Sequence, residues 1–334
     1  MTFAGAVTAG ARPAARSRRA LRAPRGWPLL LVACAALAVA GGTRANRSEV
    51  LGPPPARLLI ADLRGRALVV VDTGDPSSPR RIPLPGGPHE MVSLPGGRVA
   101  VSLEQTGAIA VVDVVTGAVV RTLEVGGLPH GLALINHTLF VTDRATDRLR
   151  RFDTEDWREE ASTPAGAWPH ALAQMPGGGL AVANAADDTV NIGGHAVAVS
   201  HVPETIAVAH DGRVATAGSL GGAVQVFSRT GAPVSWHEVG GRPVRVLFSP
   251  DGSTLAIALS ADGAVALIAS DGVRRVDVGG VPDGLAFSPD GRWLYAGDDA
   301  GGIVTAIDVG RGATVSRLAT GQSAGAILEL PRDR

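Results

Sequence analysis

A histidine follows a proline at three places, Pro88-His89, Pro129-His130 and Pro169-His170, spaced 41 and 40 residues apart. The same register continues through Pro203-Glu204, Pro243-Val244 and Pro282-Asp283. Three imidazoles and two carboxylates at one recurring position supply the nitrogen and oxygen donors that zinc, copper or iron take, and one imidazole could be the axial ligand of a haem. Other chemistry is narrowed by composition. All 31 basic side chains are arginine, which leaves out lysine Schiff bases and the P-loop lysine. Cys34 is alone, so disulfides within the chain, CxxCH haem attachment and cysteine-rich zinc sites lack a second thiol. No HExxH pair, EF-hand loop or strand-GxGxxG-helix unit occurs. A Ser/His/Asp triad assembled from distant elements stays open.

The prolines belong to a repeat. Glycines lead into most of them, as in Gly126-Gly127-Leu128-Pro129 and Gly240-Gly241-Arg242-Pro243, and a short apolar segment and a tight turn follow. Ser249-Pro250-Asp251-Gly252 and Ser288-Pro289-Asp290-Gly291 are the clearest turns, since proline presets φ and glycine accepts φ > 0. Further β-rich runs come next, such as Leu139–Thr142 and Arg148–Phe152. Four short strands in a unit of about forty residues describe a β-propeller blade. Residues 57–85 supply the second, third and fourth strands of a unit, and Ala324–Leu330 supplies its first. The expected fold is therefore all-β: a seven-bladed propeller over residues 57–330, closed by its two ends sharing one blade.

Leu139-Phe140-Val141-Thr142-Asp143, continuing to Asp147-Arg148-Leu149-Arg150-Arg151-Phe152-Asp153, resembles the repeat of the YVTN family, the YncE-like periplasmic propellers. Val182-Ala183-Asn184 with Thr189-Val190, and Leu294-Tyr295-Ala296 with Ile307-Asp308, are weaker copies. The resemblance implies the seven-bladed fold and is nearly silent on function, because the architecture is similar to that of cytochrome d1-type haem domains, lactonase-type propellers and binding-only members. The unit at 169–202 departs from the pattern. Asn191-Ile192-Gly193-Gly194-His195 stands where the third strand and its turn belong, so an irregular blade is expected there.

In a propeller the first strand of each blade lines the central channel, which turns the post-proline positions into a ring: His89, His130, His170, Glu204, Val244, Asp283 and, in the shared blade, Ala324. Because first and second strands are antiparallel, the end of the second returns to the same mouth. Asp62, Asp143, Asn184 and Asp298 occupy that end, where they could orient the imidazoles, hold a cation, or make local turn bonds. Trp168 and Arg242, each just before a proline, could add an aromatic wall and an anion contact, or be ordinary surface. Asp72, Asp113, Asp153 and Asp308 end third strands at the opposite mouth and read as turn formers.

Residues 1–40 have the layout of an export signal, with six arginines and no acid before the apolar run Trp27–Ala40. That run is shorter than the roughly 20 residues of a spanning helix, so no transmembrane span is expected after cleavage. Ser17-Arg18-Arg19 resembles a twin-arginine signal, and Leu31-Val32-Ala33-Cys34 resembles a lipoprotein box, although the apolar run continues past the cysteine. Residues 41–56, with Pro53-Pro54-Pro55, read as a linker. Removing the signal converts a formal charge of zero into 25 arginines against 31 carboxylates. An acidic body without a basic stripe does not suit nucleic acid. These readings combine into a periplasmic or secreted monomer that binds a small-molecule, metal or protein ligand at the mouth. The alternatives are a metal-dependent lactonase or lyase, and a cytochrome d1-like haem or cofactor carrier.

Overall fold

The computed structural model describes residues 55–331. The expected signal, with Cys34, and all of the expected linker but Pro55 and Ala56 lie outside them. Ala56 is buried, and its N–H donates to Thr73 Oγ1 at 2.7 Å.

Seven four-stranded antiparallel sheets make up the described residues, with one 3-10 turn, Glu104–Thr106. The second and third strands of a blade, such as Arg98–Leu103 and Ala108–Asp113, are apolar and buried along almost their whole length. Each sheet packs on a neighbour across both faces, so its inner strands need apolar side chains in both directions and lose the half-polar alternation of an exposed sheet. The fourth strands, Asp75–Pro83 and Ala118–Glu124 among them, are mostly exposed. Between blades the core is continuous: Leu59, Val70, Val99 and Ala110 share one cluster, and Ile60, Val69, Tyr295 and Val304 another. None of the described helical segments is long and apolar enough to cross a membrane.

The ring closes as the two ends predict. Ile327–Leu330 pairs antiparallel with Arg57–Asp62, Ile327 opposite Ile60 and Leu330 opposite Arg57. Ala324 sits just ahead of that strand, tied to the last blade by its N–H to Asp298 O at 3.0 Å. The unit at 169–202 is not irregular in topology. Thr189–Ile192 and His195–Ala198 form its third and fourth strands, with Ile192 opposite His195. Gly193 and Gly194, at φ 59° and 87°, make a two-residue hairpin turn. Positive φ at both turn positions matches the twist of the flanking strands, so the two glycines make the turn where an irregular blade was expected.

Candidate functional site

The ring is built by a repeated bulge. The pairing of first and second strands slips just after the proline in five blades: between Pro129 and Leu132, Pro169 and Leu172, Pro203 and Thr205, Pro243 and Arg245, and Pro282 and Leu285. A bulge leaves an extra residue out of the ladder and re-aims its side chain. The result is two tiers in the channel. His89, His170, Glu204, Val244 and Asp283, one past the proline, line a cavity of about 240 Å³ at the mouth. Gly131, Ala171 and Thr205, two past it, line an inner cavity of about 190 Å³ together with His130 and the apolar Leu132, Leu172, Ile206 and Val246. Glu90 and Arg245, also two past their prolines, border both.

Three imidazoles pack in a tilted row around the channel, with interplanar angles of 52° and 49°. Ring centroids are 4.3 Å apart for His89 and His130 and 3.9 Å for His130 and His170. His130 is only 1% exposed, and its Nδ1 lies 2.9 Å from the backbone carbonyl of His170. A carbonyl can only accept, so Nδ1 carries the proton and Nε2 keeps its lone pair. That Nε2 is buried without a hydrogen-bond partner. Thr142 Oγ1 braces the same carbonyl, donating to it at 3.0 Å while accepting the Gly131 N–H at 2.8 Å. Burial, with added repulsion from His170 and His89, holds His130 well below the usual imidazole range. His170 is pushed down to about 3, by burial first and then by Arg144. Both rings are neutral at ordinary pH. Donor atoms of His89, Glu90 and His130 all lie within 4.8 Å of one another, a grouping that could hold a metal ion.

The other ring carboxylates face arginines. Arg245 donates to Glu90 at 2.7 Å and to Asp283 at 3.2 Å, and Arg242 stands 3.9 Å from Glu204. Asp62, Asp143, Asn184 and Asp298 act on the loops that enter the blades. Fully buried Asp62 accepts the N–H groups of Gly65, Gln322 and Ser323 and the Arg81 guanidinium at 2.9–3.1 Å. Asp143 takes the Leu128 N–H at 3.1 Å, and Asp298 the Val281 N–H at 2.9 Å. Asn184 donates to Thr189 Oγ1 at 3.2 Å. Trp168 lies over the Arg144 guanidinium, 4.7 Å from it, and Arg144 pairs with Glu104 at 2.8 Å. At the opposite mouth Asp72, Asp113, Asp153 and Asp308 accept turn N–H groups.

Glu90, Arg245, Arg144, Glu104 and Asp299 escaped the sequence reading. A signal existed for the first two. Two past each proline the chain reads Glu90, Gly131, Ala171, Thr205, Arg245 and Gly284: one acid, one base and otherwise small residues. Gly284 has no room for more, since a Cβ there would stand 1.8 Å from the Gly325 carbonyl.

No family profile and no curated protein matches the chain. Solved structures do match. A protein of unknown function from Desulfotomaculum acetoxidans superposes with a TM-score of 0.72 at 12% identity, covering 83% of this chain and 100% of that one. The likeness is one of fold. Kuenenia stuttgartiensis hydrazine synthase aligns over 72% of this chain and 88% of its own, with a TM-score of 0.65 at 20% identity. Virginiamycin B lyase from Staphylococcus aureus aligns over 73% and 88%, with a TM-score of 0.64 at 12% identity. The two channel cavities, about 240 and 190 Å³, fall below the roughly 300–1,000 Å³ of pockets that enclose drug-sized ligands. Neither cavity by itself is large enough to enclose a tetrapyrrole.

Proposed function

We propose that the chain is an exported, monomeric, YncE-like propeller that binds a small ligand at the histidine mouth, with zinc, copper or iron held by His89, Glu90 and His130. The observation that carries the metal reading is the buried, unpartnered lone pair of His130 Nε2. A buried acceptor left unmatched costs free energy that a cation would recover. The backbone carbonyl on Nδ1 is the kind of outer contact that orients a metal-bound imidazole, and neutral imidazole is the ligating form. The test is to purify the full chain from an exporting host without chelator and measure metal content, N-terminal cleavage and zinc affinity. One metal per chain, weakened at least about tenfold in His130→Ala, is expected; unchanged zinc binding in that variant sinks the proposal.

Catalysis is the second reading, a metal-dependent lactonase or lyase. It is favoured by neutral histidines beside a carboxylate, and by two neighbours in fold. One, from Bacteroides fragilis, is named provisionally as a 6-phosphogluconolactonase, with a TM-score of 0.70 at 13% identity over 84% of this chain and 100% of that one. The other is the virginiamycin B lyase, whose histidine-to-alanine variant is described as catalytically inactive. A bound metal would polarise a carbonyl at this site. Ring opening of a lactone by the wild type and none by His130→Ala would support it; no turnover across a lactone panel by metal-loaded protein removes it.

A further inference from the structure

The mouth cavity holds more acid than base. Glu90, Glu204, Asp283 and Asp299 line it against Arg242 and Arg245. Arg245 is already divided between Glu90 and Asp283. Arg242 is 55% exposed and stands 3.9 Å from Glu204, which leaves that carboxylate loosely held. Asp299 stands 3.9 Å from the Arg64 guanidinium. Its carboxyl is raised above the ordinary value by burial and then by Asp283, with Asp298 adding to the rise and Arg64 and His89 opposing it. The space therefore resists a further negative charge and favours a positive one. The His170 ring lines the same cavity, and its enclosed Nδ1 has no hydrogen-bond partner of normal geometry.

The order of residues around the ring adds shape to this charge. Glu204, Val244 and Asp283 come from three consecutive blades, so two acidic positions flank an apolar one. Val281 supplies a second apolar wall beside Asp283. A matching ligand is positive at both ends and aliphatic between. We infer that the mouth binds a short aliphatic diamine, one ammonium at Asp283 and Asp299, the other at Glu204, its methylenes against Val244 and Val281. This rests on the reading of the mouth as a small-ligand site and names the class of ligand. Each ammonium has three donors to satisfy, and the carboxylates provide acceptors at both ends. Apolar contact along the chain gives selectivity for length, since each methylene buried adds to affinity.

Calorimetric titration of the full chain, first treated with chelator and then reloaded with zinc, tests this with putrescine, butylamine and succinate as probes. Putrescine is expected to bind at least about tenfold tighter than butylamine, and succinate not at all. Glu204→Gln should bring putrescine to the affinity of butylamine. Asp299→Asn, with an unaltered melting curve to show that it folds, should weaken both amines. Equal affinity for the two amines, tighter binding of succinate, or an indifferent Glu204→Gln overturns the inference. If zinc binds through His130 while neither amine binds, the diamine inference alone falls; if the wild type takes up neither zinc nor amine, the reading of the mouth falls with it.

Discussion

Arg245 Nη1 lies 2.7 Å from Glu90 Oε1 although 155 residues separate them in the chain. The contact joins the sixth blade to the second, straight across the channel, counting the shared blade as the first. It exists because the intervening positions of that tier, Gly131, Ala171, Thr205 and Gly284, are too small to fill the lumen. The ion pair is a septum between the acidic mouth and the apolar inner cavity.

Breaking this septum from the arginine side should be costly. Arg245→Ala leaves Glu90 and Asp283 enclosed without their shared cation. The three side chains are 18–27% exposed, so the loss should be about 2–4 kcal/mol, at or below the range for fully buried pairs. Arg245→Met combined with Glu90→Gln should recover part of it, because Glu90 then needs no counter-charge while Asp283 stays without its arginine. Urea unfolding midpoints of the two variants check this; a double variant as unstable as the alanine variant contradicts it.

Asp62 should behave as the clasp of the ring. Asp62→Ala strips the acceptor from the Gln322 and Ser323 N–H groups and from Arg81, at an expected cost of about 2–3 kcal/mol. Amide exchange should quicken in Ile327–Leu330 more than in the complete blades. Burial opposes the charge of Asp62, but hydrogen bonds from Gly65, Gln322, Arg81 and Ser323 outweigh it and hold the carboxyl below its ordinary value of 3.8. The contribution is thus complete above pH 3.8 and lost as pH falls through the lower folded value. Loosening of Ile327–Leu330 that begins well above pH 4 would assign the acid effect elsewhere.

The buried imidazoles should make the metal-free protein lose stability in mild acid. Folded values for His130 and His170 lie below the unfolded value of 6.5. As pH drops under 6.5 the unfolded chain takes up protons that the folded chain refuses, so stability is full above 6.5 and declines toward the folded values, about 3 for His170. Each ring contributes up to about 1.4 kcal/mol per pH unit. Arg144, His89 and Arg245 all act on His170 in the direction that keeps it neutral. Unfolding midpoints of chelator-treated protein at several pH values should show the decline, and His170→Leu should roughly halve it. A flat profile between pH 6.5 and 4.5 would refute the neutral row.

Trp168 and Arg242 sit before prolines at φ 52° and 51°, a region that side chains with a Cβ occupy at a cost. Trp168→Gly should be more stable than Trp168→Ala by about 1 kcal/mol, since both lose the indole over Arg144 and only glycine escapes the backbone strain. Arg242→Gly, at a mostly exposed side chain, should be neutral or stabilising by about 0.5–1 kcal/mol. Thermal melts of the three variants decide the order.

How far the site could be read in advance differs residue by residue. His89, His130 and His170 were legible as one ring because a repeat places equal positions at equal radius, and the structure packs them in contact. Glu204 and Asp283 were legible as ring members, but not as the partners of Arg242 and Arg245. Glu90 was passed over because a regular strand would turn the residue after His89 away from the channel. In that blade the regular strand begins only at Met91, so Glu90 stands outside its alternation. The blade at 169–202 erred in the other direction, since its Gly193-Gly194 turn is complete in two residues.

By itself the sequence determined the all-β class, the number of blades, the closure of the ring and the three-histidine ring, for these follow from local turn chemistry repeated at a constant interval. Only the tertiary structure decided which charges meet, which nitrogen of His130 is left without a partner, and that Glu90 joins the histidines. The reason is geometric. Period and turn residues act between neighbours in the chain, whereas partners across a channel are chosen by its diameter and by the small residues that leave the lumen open.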